Sequence, residues 1–298
     1  MEYVQLGKSD LQISRIAFGC MSLAGDDADN EKILHRAVDL GINLFDTADL
    51  YAKGMNERSV GKALKPFRDK IYIASKVGNQ WRADGSGWDW NPRKEYILAE
   101  VDNSLLRLKT DHLDLYQLHG GTIDDPIDET IEAFELLKQQ GKIRHYGISS
   151  IRPNVIREYI QRSNIVSVMM QYSLLDRRPE EACLSLLQEH SIGVLARGAV
   201  AQGLLVNKPP KAYLNYSPGE VEQAAAAVQS VSNKQRNAAQ TSLRFVLQHP
   251  AVSSAVAGIR TMQQLEEAVA ALSAPMLTEQ EMTTLQSAVA ANKYEQHR

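Results

Sequence analysis

The chain has 298 residues, 44% of them hydrophobic and 23% charged, which excludes disorder, collagen-like repeats and low complexity. Lys+Arg 33 against Asp+Glu 36 leaves a net charge of -3, without the basic excess that a dedicated nucleic-acid binder needs. Cys20 and Cys183 make neither a disulfide framework nor a zinc site, no window offers the roughly 18 apolar residues of a membrane span, and the start lacks a signal-peptide pattern, so a cytoplasmic protein is expected.

Short apolar runs alternate with segments of helical period. Residues 3–5 and 11–13, split by Gly7-Lys8-Ser9-Asp10, predict a hairpin. Residues 16–19 are a first strand, and 30–40 a helix stopped by Gly41. The alternation continues with strand 42–45, helix 57–64, strand 71–75, helix 93–108, strand 113–118 and helix 127–140. Strand 144–148, helix 155–161, strand 166–170, helix 180–189 and strand 194–196 follow. One long helical stretch is expected over 221–248, then strand 252–256 and helix 263–272. Thr278 with Glu281 is a capping box that opens a further helix.

Many of the strands are apolar at nearly every position, as in Ile71-Tyr72-Ile73-Ala74, which suits a parallel sheet covered on both faces. Eight strand-then-helix units in this length predict a (β/α)8 TIM barrel, preceded by a hairpin and followed by an extra helix. An open doubly wound sheet would want an early Gly-x-Gly-x-x-Gly after a strand, and none is present. No Pro/Ser-rich linker divides the chain, so one domain over 1–298 is expected.

Active sites of such barrels sit where the strands end. The residues just past the strands include Cys20, Asp46, Lys76, His119, Ser149, Gln171, Arg197 and Gly258. Asp46 opens Thr47-Ala48-Asp49-Leu50-Tyr51, so one loop carries a carboxylate and, five residues on, a phenol. A free phenol has a pKa of about 10, too high for easy proton exchange near neutrality. An ammonium from Lys76 is expected to lower it, with Asp46 holding Lys76 charged and His119 orienting a substrate carbonyl oxygen. That set suits carbonyl reduction, in which Tyr51 protonates oxygen while a nicotinamide supplies the hydride.

Asp46-Thr47-Ala48-Asp49-Leu50-Tyr51, Ser75-Lys76, Leu118-His119 and Gly147-Ile148-Ser149 resemble, in order, the motifs of the aldo-keto reductase superfamily, bacterial NADPH-dependent members in particular. The resemblance spans nearly the whole chain. It implies a catalytic tetrad of Asp46, Tyr51, Lys76 and His119, with Ser149 and Gln171 on the cofactor carboxamide. The segment from Gly258 through Arg260, Gln264 and Glu267 resembles the adenosine site, with Arg260 on the 2′-phosphate favouring NADPH over NADH. Gly203 falls in the loop after the seventh barrel strand that folds over the pyrophosphate in that family. Three positions depart from the pattern: Ser150 replaces a usual Asn, Arg197 replaces an aromatic that stacks on the nicotinamide, and Ala268 replaces an Asn at the adenine. A guanidinium is planar and can stack, so Arg197 stays a cofactor contact.

All three tryptophans, Trp81, Trp88 and Trp90, lie in the loop 77–91 after Lys76. Trp81 and Trp88, with Cys20, are assigned to the substrate pocket; packing of the three rings as a loop mini-core is the competing reading. The partner expected is a small-molecule carbonyl compound, with no nucleic acid, membrane or metal. No feature of the sequence sets an oligomeric state. A regulatory subunit of the kind attached to potassium channels is the alternative that the same tetrad allows, although those subunits carry an N-terminal extension where here a hairpin begins at once. A metal-dependent barrel hydrolase would want several histidines at strand ends, and His119 stands alone there.

Overall fold

In a computed structural model, which describes residues 1–298 apart from 24 and 26, two short strands come first. Strands β1 (Tyr3–Gln5) and β2 (Gln12–Ser14) pair antiparallel, with Val4 opposite Ile13. Then follow β3 (Ile16–Gly19), β4 (Leu44–Asp46) and β5 (Tyr72–Val77). A second hairpin, β6 (Asn79–Trp81) with β7 (Trp88–Trp90), precedes β8 (Leu113–Leu118), β9 (Ile143–Ser149), β10 (Ser167–Gln171), β11 (Gly193–Arg197) and β12 (Val252–Gly258). The eight strands β3, β4, β5, β8, β9, β10, β11 and β12 pair parallel in that order, and β12 returns to β3 to close a barrel.

Helices fill the crossovers. They are α1 (Asp27–Asp39), α2 (Met55–Leu64), α3 (Lys94–Leu108), α4 (Ile127–Gln139), α5 (Pro153–Arg162), α6 (Cys183–Glu189), then α7 (Pro218–Ser230) and α8 (Ala238–Leu247) in one crossover. Helix α9 (Met262–Ala270) completes the repeat, and α10 (Glu279–Ala288) lies beyond it, opened by the expected capping box of Thr278 and Glu281.

Alternation along each strand sorts the apolar side chains into two layers. Ala17, Leu44, Ala74, Leu115, Met169, Leu195 and Val256, one from each of seven strands, pack together inside the barrel with Leu6, Leu11 and Ile13 of the first hairpin. Their neighbours Phe18, Phe45, Ile73 and Tyr116 turn outward to Ile33, Leu34, Val60 and Val101 on the helices. Each fully buried side chain of this size contributes about 1.5–3 kcal/mol relative to exposure. The hairpin seats tightly below the barrel: a Cβ on Gly7, whose φ is +53°, would fall 2.3 Å from the Val166 carbonyl oxygen.

Two expectations are corrected. The single helical stretch over 221–248 is two helices, α7 and α8. Between them Arg236, 1% exposed, donates to the carbonyls of Val231, Pro275 and Met276, and Asn237 with Gln240 forms a new capping box. The alanines on either side of the break, 224–227 and 238–239, masked that signal. The expected open loop after Lys76 is a paired hairpin, in which Trp81 stands opposite Trp88.

Candidate active site

The same alternation builds the site. Two residues beyond inward-facing Leu44, Ala74, Met169 and Leu195 come Asp46, Lys76, Gln171 and Arg197, and beyond Leu115 come Gln117 and then His119. The inward row therefore changes from apolar to polar at the C-terminal mouth of the barrel.

Lys76 is the hub. Its Nζ lies 2.7 Å from Asp46 Oδ2, 2.8 Å from the Thr47 carbonyl and 3.3 Å from the Tyr51 hydroxyl, so its three protons are all committed. Lys76 is 1% exposed and Asp46 4%. Gln117 Nε2 donates to the other Asp46 oxygen at 3.5 Å. The Tyr51 and His119 rings meet edge to face with centroids 5.8 Å apart.

Burial works against the Lys76 charge, but Asp46 and Tyr51 together raise its pKa above the ordinary lysine value. Burial pushes the Asp46 carboxyl up, while Lys76 pulls it back. For Tyr51 the sequence expectation of a lowered pKa is corrected in direction: burial raises it, and Lys76 opposes this without overcoming it. The phenol therefore stays protonated. Burial, then the charges of Lys76 and Arg197, lower His119 to about 3, so its imidazole is neutral. His119 Nδ1 is buried with no hydrogen-bond partner among the described residues.

The backbone after Tyr51 is unusual. Ala52, Lys53 and Gly54 have φ of 48°, 55° and 79°, all left-handed. For residues other than glycine this costs of order 1–3 kcal/mol each and persists only when the surroundings over-determine it.

The remaining candidates divide into two groups. Ser149, half-buried, ends β9; Ser150, buried, donates its amide to the Met169 carbonyl. Gln171 receives a hydrogen bond from Arg197 Nη1 at 3.1 Å and donates to the Tyr213 hydroxyl at 2.7 Å. Arg197 can only donate, so it fixes which way the Gln171 amide faces. Gly203, with φ of +92°, turns its carbonyl to the amides of Val206, Asn207 and Lys208. Farther round the mouth, exposed Gly258 ends β12, and exposed Arg260 gives its amide to Gln264 Oε1 at 2.9 Å. Thr261 caps α9, and Glu267 accepts a hydrogen bond from Asn237 at 2.6 Å.

The residues expected in the substrate pocket are not placed alike. Cys20 is fully buried, 3.7 Å from the Phe18 carbonyl, and offers no accessible surface. Trp88 is 47% exposed. Trp81 is half-buried and donates its indole N–H to the Leu50 carbonyl at 3.2 Å. Trp90 donates to Asp125 at 2.9 Å and packs against the core. Three contributors went unread in the sequence: Gln117, the Thr47 carbonyl, and Asn79, whose amide holds the His119 carbonyl at 3.1 Å. The inward parity two residues before His119 was the available signal for Gln117. A backbone carbonyl leaves none.

A closed (β/α)8 barrel with a protonated phenol, a buried ammonium and a neutral imidazole at its C-terminal mouth is built as an enzyme. The profile of the Aldo/keto reductase family matches residues 15–290. The oxidoreductase YqkF of Bacillus subtilis (strain 168) is 52% identical over 303 residues, covering 99% of this chain and 98% of its own length. An NADH-specific methylglyoxal reductase of Escherichia coli (strain K12) is 32% identical over 234 residues, 72% of each chain. The holo form of the aldo-keto reductase AKR11C1 from Bacillus halodurans superposes with a TM-score of 0.94 at 51% identity, covering 100% of this chain and 99% of that one. The chain belongs to the aldo/keto reductase family and is an oxidoreductase of that family, whose members use nicotinamide cofactors. Relatives named as oxidoreductases do not favour the regulatory-subunit alternative.

Proposed function

We propose that the protein reduces aldehydes or ketones to alcohols with NADPH, with Tyr51 as proton donor. The observation that carries this is the protonated Tyr51 phenol 3.3 Å from the Lys76 ammonium, beside a neutral His119 with an unpaired nitrogen. The residues fit a nicotinamide: half-buried Ser149 and Gln171 and exposed Arg197 end neighbouring strands at the mouth that holds His119. Bound there, the reduced nicotinamide supplies the hydride, which no side chain can.

The protein's own part is the proton and the charge. His119 donates a hydrogen bond to the carbonyl oxygen and orients it. Tyr51 gives its proton to that oxygen as charge develops there. The phenolate left behind is stabilised by Lys76, which Asp46 holds in place. Ser149, Ser150 and Gln171 would hold the carboxamide, Arg197 the nicotinamide and Gly203 the pyrophosphate. Gly258, Arg260, Gln264 and Glu267 take the adenosine end. Arg260 supports NADPH: its side chain is exposed beside the N-terminus of α9 and has no hydrogen bond or ion pair among the described residues. The substrate is a small carbonyl compound, with Trp88 at the mouth.

Initial rates with NADPH and with NADH over a panel of aldehydes and ketones test this reading. Loss of absorbance at the reduced-nicotinamide band is expected, faster with NADPH. Tight binding of NADPH with no turnover on any carbonyl compound would overturn it.

A further inference from the structure

The strained turn after Tyr51 needs something to hold it. On its inner side the holders belong to the barrel. Asp49 Oδ1 accepts the Leu50 amide at 2.6 Å, Asp49 gives its own amide to the Lys76 carbonyl at 3.4 Å, and the Tyr51 amide reaches the Ala48 carbonyl at 3.2 Å. Helix α2 adds the Met55 amide on the Tyr51 and Ala52 carbonyls, Arg107 of α3 packs against Gly54, and on the outer side the β6–β7 hairpin supplies two further holds. Trp81 Nε1 donates to the Leu50 carbonyl at 3.2 Å, and Lys53 Nζ donates to the Gly85 carbonyl at 3.2 Å while lying 5.0 Å from the Trp81 ring centroid. The hairpin is itself braced by a two-pronged Arg82–Asp89 pair and by Asn91 on Gln80.

We propose that Trp81 and Lys53 form a clamp that locks the Tyr51 turn in its left-handed conformation, so that Trp81 is a positioning residue for the proton donor rather than a wall of the substrate pocket. The peptide between Leu50 and Tyr51 carries the carbonyl that Trp81 holds. Its neighbour on the N-terminal side is held through the Leu50 amide by Asp49. The two peptides that lead into Tyr51 are thereby fixed, and Lys53 on Gly85 holds the side that follows it. The edge of the indole that bears its only donor is turned to backbone, so it has no donor left for a substrate. Without the outer hold, Ala52 and Lys53 relax toward right-handed backbone, and the phenol swings away from Lys76. The proposal rests on the reading of Tyr51 as proton donor, but the clamp itself has a readout that needs no turnover.

Trp81→Phe keeps a ring under Lys53 and removes the N–H. Two measurements decide. The first is steady-state kinetics with NADPH and two aldehydes, one small and one bulky. The clamp predicts that kcat falls by about tenfold or more for both, with each KM within about twofold of the parent. A raised KM for the bulky aldehyde with kcat kept would make Trp81 a pocket wall and overturn the proposal. The second is amide hydrogen exchange of the cofactor-free protein over residues 50–54. About tenfold faster exchange there, with the barrel strands unchanged, is expected, and unchanged exchange would overturn the clamp. This second result stands even if no carbonyl compound proves to be a substrate. Adding Ala52→Gly to the variant removes the steric objection to positive φ. It is expected to restore about threefold of the lost kcat, and no restoration would show that strain is not what Trp81 opposes. Lys53→Met, which leaves the indole in place, is expected to show the same pattern at about a third of the size.

Discussion

The two ends of the barrel use the same residue types to opposite effect. At the N-terminal end, Asp114 on β8 is 1% exposed and is met by the Ile73 amide at 2.9 Å, Arg68 at 2.8 Å and Arg144 at 3.1 Å. Arg144 continues to Asp10 in the first hairpin at 2.8 Å, which His145 also meets at 2.6 Å. The carboxylate there has several cations, and its charges are spent on fastening the hairpin to the barrel. At the C-terminal end, Asp46 has one close cation, Lys76, and every proton of that cation is already placed. What remains unspent is the Tyr51 proton and the His119 nitrogen. A redundant network reads as stability, and a minimal one with one donor left over reads as chemistry.

The comparison can be broken in measurable ways. Tyr51→Phe removes the unspent proton and, with it, one of the three acceptors of Lys76. Its kcat is expected to fall by at least about 10²-fold with NADPH affinity unchanged by fluorescence titration, and normal turnover would mean another acid does the work. Lys76→Met leaves Asp46 buried without its cation. It is expected to lower stability in urea by about 3–5 kcal/mol and to abolish turnover as well. Arg260→Ala is expected to weaken NADPH by about tenfold and NADH hardly at all, and equal losses would show that Arg260 does not read the 2′-phosphate.

Acid sharpens the contrast from the His119 side. The unfolded imidazole binds a proton near its ordinary 6.5, whereas the folded one resists until about 3. Between those values the unfolded state holds more protons, so stability falls as pH falls. Urea titrations are expected to show about 1 kcal/mol lost through this group from pH 6.5 to 5.5, and His119→Asn to lose that portion of the slope. The smallest effect belongs to the redundant end. Arg144→Met is expected to cost about 1 kcal/mol with kcat unchanged, because Arg68 still holds Asp114.

Most of this architecture was legible in the residues. Strands such as Leu113–Leu118 announce themselves because apolar side chains on both faces have nowhere to go but between a barrel and its helices. Asp46, Lys76 and His119 stood out because they gather where apolar strands end, and Tyr51 because it follows Asp46 by five residues in one loop. What escaped was set by tertiary context. The fate of Arg236 depended on carbonyls nearly 40 residues away, at Pro275 and Met276. The direction of the Tyr51 shift turned on the degree of burial, since pairing with Lys76 was foreseen but its defeat by desolvation was not. Cys20 sits at a strand end as Asp46 and Lys76 do, yet its thiol is fully enclosed, and no spacing along the chain distinguishes the cases.

The apolar packing inside the barrel, sealed from below by Leu6, Leu11 and Ile13, has a consequence for traffic. Beneath Asp46 and Lys76 lie Leu44, Ala74, Leu115, Met169 and Leu195, so the hub has hydrocarbon packed below it and opens at the mouth. On the proposed reading, substrate, product and replacement proton share that doorway. On that reading, ligands in the doorway stand between Tyr51 and bulk water, and each turnover begins by reopening it.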